Sequence, residues 1–217
     1  MKGSIFTPFS HNKRDARLLL FFSALNIFLV NLPYVTINFI GLGVDDSYNI
    51  MLSVQMLMVF LAYRYIIGAM PEFNMKYNLK MDVKNKLYFL FALIFLVQIF
   101  SFLWRIDIVH SGTLPFSPGL ILTLVVIVPF YEEVFFRGCL FGGICSFFKG
   151  GVVLPAMITS LIFCLMHMQN YNIIDQLSLF ISSMIFVCAR IITKGLFYPV
   201  ALHSGMNAVF LSLNMHL

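Results

Sequence analysis

Long apolar runs recur along the whole chain, with no two-residue alternation inside them, and polar residues collect in the short intervals between them. A membrane-spanning helix needs about 20 predominantly apolar residues, and lipid cannot satisfy exposed backbone groups, so such runs are helices or strands of a closed barrel. Unbroken runs without alternation select helices. Seven spans are expected, at residues 18–42, 50–70, 87–104, 118–148, 152–168, 173–192 and 196–213. The expected fold is therefore an all-α, polytopic transmembrane helical bundle. Residues 1–117 would hold an N-terminal cytoplasmic tail and three spans, and residues 118–217 a core of four. The fourth stretch is longer than a bilayer requires, so it is expected to tilt, to extend beyond the lipid, or to break near Pro129 or Gly142-Gly143.

Composition agrees with this picture. Of the 217 residues, 60% are hydrophobic and only 11% charged, whereas soluble domains are about 45–50% apolar. No soluble domain or low-complexity linker is left over. The apolar run that follows Lys2, Lys13, Arg14 and Arg17 contains Asn26, Asn31 and Pro33 and no small-residue cleavage pattern, which fits an uncleaved first span. Cys139, Cys145, Cys164 and Cys188 lie within apolar segments without metal-ligand spacing, and packing is their expected role.

The net charge of +5 is explained by membrane orientation and leaves no argument for a nucleic-acid partner. Basic residues collect in the N-terminal tail, at Lys76, Lys80, Lys84 and Lys86, at Lys149, and at Arg190 with Lys194. The alternate connections hold Asp45 with Asp46, Arg105 beside Asp107, or no charge in 169–172. On the positive-inside rule the N-terminus is cytoplasmic and the C-terminus lies outside. Arg64 and Asp175 fall near span ends and are expected to be structural.

One feature of the fourth span resists this scheme. Residues 131–138 read Tyr-Glu-Glu-Val-Phe-Phe-Arg-Gly. Each ionisable side chain near the bilayer centre costs roughly 2.5–3.5 kcal/mol on insertion scales, so Glu132, Glu133 and Arg137 must face protein or trapped water. Glu133 and Arg137 are four apart on one helical face, acid first, the preferred order for an ion pair. Glu132 is rotated by about 100° from Glu133 and has Phe136 four residues on, so it is the acid left to act on something else. A general base is the role that suits it. A buried pair that only braces the helix would explain Glu133 and Arg137 but not Glu132.

Two later spans add matching polar groups. Phe163 and His167 stand four apart, as do His203 and Asn207. His11, His110 and His216 have no such partner and are read as surface residues.

These three elements, Glu132-Glu133-x-x-x-Arg137, Phe163-x-x-x-His167 and His203-x-x-x-Asn207, in this order on successive apolar segments, resemble the motifs of the CAAX-processing and bacteriocin-processing (CPBP, or Abi) membrane protease family. The resemblance covers roughly residues 118–213. It implies an intramembrane endopeptidase in which Glu132 activates water, His167 positions that water, His203 and Asn207 stabilise the oxyanion, and Glu133, Arg137 and Phe163 support the site. It implies no cofactor in the favoured metal-free form; zinc at Glu132, His167 and His203 is the alternative. The partners would be the lipid bilayer and a peptide or membrane-protein substrate, in the cytoplasmic membrane of a bacterium; oligomeric state is not readable. The alternative function is a non-catalytic membrane protein for bacteriocin immunity or partner scaffolding. A transporter with Glu132 as carrier is disfavoured by the lack of an internal repeat. One tension stands. Charge pattern places His167 toward the outer half of the bilayer, whereas prenyl-protein-processing relatives imply a site reached from the cytosol.

Overall fold

The computed structural model describes residues 13–70, 73–76, 81–105, 118–148, 151–167 and 172–214. These hold seven helical runs and no strand: α1 (Lys13–Ile40), α2 (Val44–Ile67), α3 (Met81–Arg105), α4 (Pro118–Cys145), α5 (Val153–Met166), α6 (Ile173–Thr193) and α7 (Phe197–Asn214). Each of the seven expected spans corresponds to one of them. Five, namely α1 to α4 and α6, are long and apolar enough to cross a membrane. The protein is thus an all-α, multi-pass bundle. His11, His110, His216, Lys80 and Lys149 lie outside the described residues.

Boundaries differ from the hydropathy reading where charge enters a helix. α2 begins at Val44 and takes Asp45 and Asp46 into its first turn, where carboxylates complement the helix dipole. α3 begins at Met81 and includes Lys84 and Lys86, because helical hydrogen bonding does not stop where the apolar run stops. α1 is helical to Leu29, turns at Val30–Asn31 and resumes at Leu32. Pro33 sits in the first turn of the resumed segment, where its missing N–H is not needed.

α4 does not break at Pro129 or at Gly142-Gly143. It runs from Pro118 to Cys145 through two widened π-helical turns, Thr123–Ile127 and Val134–Leu140. The first lies just ahead of Pro129, whose ring would otherwise clash with a carbonyl four residues back. The second carries Arg137 and follows directly on Glu132 and Glu133.

Outer helices turn Phe21, Phe28, Phe60, Phe89, Phe100 and Leu161 outward, as lipid-facing surfaces require. α4 is the centre, with every residue from Tyr131 to Gly143 buried. Its Phe135, Phe136 and Leu140 form one core with Leu19 of α1, Val59 of α2, Phe73 and Phe163. A second core joins Leu90 and Ile94 of α3 to Phe186 and Ala189 of α6 and Leu202 of α7.

Phe73, between α2 and α3, points into the bundle and is fully buried. Tyr63 Oη donates to its carbonyl at 3.1 Å, and Leu196 N donates to Asn74 O at 2.9 Å. The Phe73 ring lies against Gly138, where an added Cβ would overlap it. Gly138→Ala is expected to destabilise the bundle by about 1–3 kcal/mol, the range for overpacking a core. Unfolding in detergent would register this, and wild-type stability would show that the ring can move aside.

Candidate active site

The second widened turn of α4 meets the end of α5 and the middle of α7 at one place. Glu133 and Arg137 pair across it, Oε1 to Nη1 at 3.0 Å, both with fully buried side chains. Arg137 is held from two more sides. Its Nη2 donates to Ser183 Oγ of α6 at 2.9 Å, and Ser183 Oγ donates to Ser160 Oγ of α5 at 3.0 Å. The guanidinium also lies 4.8 Å from the ring centre of Phe163 and 4.9 Å from that of Phe186, a favourable placement for a desolvated cation.

Glu133 reaches further. His203 Nδ1–H donates to the same Glu133 Oε1 at 2.8 Å, which fixes which ring nitrogen faces the carboxylate. His203 is stacked on Phe186, with centroids 4.9 Å apart and planes 16° from parallel. Its Nε2 therefore points the other way, toward Glu132, at 3.8 Å from Oε2.

His167 is the residue that ends α5. That helix has 14 residues, about 21 Å at 1.5 Å per residue, less than the ~30 Å hydrocarbon layer. His167 Nδ1–H donates to Phe163 O at 2.8 Å, and its ring stacks on Phe163 at 4.4 Å. Nε2, the other ring nitrogen, faces Glu132 Oε1 at 3.6 Å. Glu132 thus stands between two imidazole Nε2 atoms, each a little beyond direct hydrogen-bonding distance and close enough for one water to bridge.

Glu132, His167, His203 and Asn207 all line a cavity of about 580 Å³. Asn207 Nδ2 donates to Leu124 O of α4 at 2.8 Å, which orients the amide and leaves its second N–H. Of the seven residues singled out from sequence, Phe163 also lines the cavity, while Glu133 and Arg137 lie behind it. Among the described residues no group of three His, Cys, Asp or Glu side chains is arranged to hold a metal ion.

The structure adds residues that motif reading passed over. Ser160, Phe163 and His167 share one face of α5 at i, i+3 and i+7, and Ser183, Phe186 and Arg190 repeat that spacing on α6. This repeated spacing was the available signal. Arg190 was expected in a connection beside Lys194, yet α6 continues to Thr193 and buries it, with Nε donating to Arg137 O at 3.2 Å. Asp175, expected to be only structural, lines the cavity and accepts from Ser101 Oγ at 3.1 Å. From the first two helices come Asn26 and Gln55, with Gln55 Nε2 donating to Asn26 O at 3.0 Å and Tyr131 Oη to Asn26 Oδ1 at 3.4 Å.

Fold and site together define a class: a polytopic helical membrane protein enclosing a carboxylate and two imidazoles in an internal cavity. Residues 114–209 match the family described as Rce1-like, type II CAAX prenyl endopeptidase Rce1-like. The matched residues run from ahead of α4 into α7 and include Glu132, His167, His203 and Asn207. The chain is also 38% identical over 93 residues to an uncharacterized 24.3 kDa protein of Escherichia coli. That similarity covers 43% of this chain and 42% of the relative, so the chain spans less than half the length of the curated relative it matches. No solved structure is a significant match.

Proposed function

We propose that the protein is an intramembrane endopeptidase that hydrolyses a peptide bond of a membrane-associated protein or peptide with water activated by Glu132, without a metal. The observation that carries this reading is Glu132 held between His167 Nε2 at 3.6 Å and His203 Nε2 at 3.8 Å at the wall of a cavity. The match of residues 114–209 to the Rce1-like family supports it.

A water between Glu132 Oε1 and His167 Nε2 gives one proton to each acceptor, which leaves an oxygen lone pair aimed at the cavity. As that oxygen bonds to the scissile carbonyl carbon, Glu132 takes its proton. The C=O π pair becomes an oxyanion. Asn207 offers its second amide N–H to it, and His203 offers Nε2–H when both its nitrogens carry protons, Nδ1–H being given to Glu133. Such donors are worth about 10²–10³ in rate each. Collapse of the intermediate breaks the C–N bond, and the proton on Glu132 passes to the leaving amine. Glu133 and Arg137 do not touch the substrate and act by fixing His203. The E. coli relative favours a bacterial cytoplasmic membrane as the setting.

The test is purified protein in liposomes with internally quenched peptides carrying an apolar membrane anchor. Cleavage that survives a strong chelator is expected. Activity abolished by the chelator and restored by zinc would overturn the metal-free mechanism, and a wild-type protein inert toward a broad anchored-peptide set would overturn the enzyme itself.

A further inference from the structure

The cavity is not drawn evenly from the helices. α1, α3 and α5 contribute Val30, Gln98 with Ser101, and Met166 with His167, all toward their C-terminal ends. α2 and α6 contribute residues of their N-terminal halves, such as Tyr48 and Asp175. α7 adds His203 to Leu211 and α4 adds Leu124 to Phe136. The lining thus alternates between later portions of α1, α3, α5 and α7 and earlier portions of α2, α4 and α6, which places the cavity toward the end of the bundle where the first set finish and the second begin.

Basic residues mark the other end. Lys13, Arg14 and Arg17 open α1, Lys84 and Lys86 lie in the first turns of α3, and Lys194 follows α6. Burial of Arg190 removes it from this set without changing the bias. At the cavity end Arg105, which ends α3, is the one Lys or Arg among the described residues. Lys and Arg excess marks the cytoplasmic side.

Resting on the endopeptidase reading, we infer that the catalytic cavity opens on the face away from the cytoplasm, and that its substrates are exported or membrane-anchored chains whose cleaved segment lies on that far side. Cytosolic C-termini are then not substrates. The choice between the charge pattern and the cytosolic access implied by prenyl-processing relatives falls to the charge pattern, because the cavity lining and the lysines occupy opposite ends of the same helices.

Asp46 at the start of α2 and Lys86 near the start of α3 are both exposed and outside the site. Asp46→Cys and Lys86→Cys, in the full chain with wild type as background, can be probed with a membrane-impermeant sulfonated maleimide. Asp46→Cys should be labelled in intact cells, and Lys86→Cys only in inverted vesicles. The reverse pattern, or equal labelling of both from one side, overturns the inference whatever the enzyme does. In right-side-out sealed vesicles an anchored quenched peptide added outside should be cleaved; cleavage only after the vesicles are opened would also overturn it. Labelling as expected with no cleavage on either side would instead count against the endopeptidase reading alone.

Discussion

Glu132→Gln should lower peptide cleavage by about 10²–10⁴-fold, the contribution of a positioned general base, while the protein accumulates at its normal level. The substitution keeps the shape and removes the ability to accept a proton. Folding should not suffer, because neither imidazole makes a direct hydrogen bond to this carboxylate: the distances are 3.6 Å and 3.8 Å. Hydrolysis of a quenched anchored peptide, read beside the amount of protein in the membrane fraction, gives both quantities. Full activity in the variant would remove Glu132 as the base. The same comparison tests the non-catalytic reading, since a scaffold or immunity factor would keep its function whenever it keeps its abundance.

Arg137→Ala is expected to act in the opposite manner, on the protein more than on the chemistry. It removes the 3.0 Å partner of Glu133, the 2.9 Å bond to Ser183, and a cation packed against the Phe163 and Phe186 rings. Glu133 is left fully buried with its charge uncompensated by a cation. Breaking a buried pair in this way costs about 3–5 kcal/mol, enough to exhaust much of the stability of an ordinary domain. Full-length protein in the membrane fraction should fall sharply, and what remains should unfold earlier in detergent. Replacing both charges, Glu133→Leu with Arg137→Met, should recover part of the yield, because the penalty comes from the orphaned charge. Normal yield of Arg137→Ala alone would contradict the bracing role.

Glu132 and Glu133 are neighbours in sequence and face separate surroundings for a geometric reason. The turn between them aims Glu133 inward, at Arg137 and His203, and Glu132 at the cavity. His203 joins the two, with Nδ1 on one acid and Nε2 toward the other.

The helices were legible because a chain in lipid must close its hydrogen bonds locally, so an apolar run long enough to span is already a helix. All seven appeared as helices, five of them long and apolar enough to cross a membrane, and the largest displacements are at the starts of α1, α2 and α3, where Lys13, Arg14, Arg17, Asp45, Asp46, Lys84 and Lys86 joined helices begun ahead of the apolar run. The ion pair of Glu133 and Arg137 was legible for the same reason: a spacing of four fixes two side chains on one face. Arg190 was misplaced because a charge near a span end reads as solvated unless a partner is known, and one of its partners is the carbonyl of Arg137, 53 positions away.

By itself, then, the sequence determined the helical membrane class, the location of the ionisable groups on three helices and the pairing within α4, all consequences of contacts within a few residues. Tertiary structure alone decided that Glu132 meets two imidazoles, that Ser183, backed by Ser160, and Arg190 hold Arg137, and at which end of the bundle the cavity lies. Those depend on how helices rotate and pack against one another, and no local period along the chain encodes that.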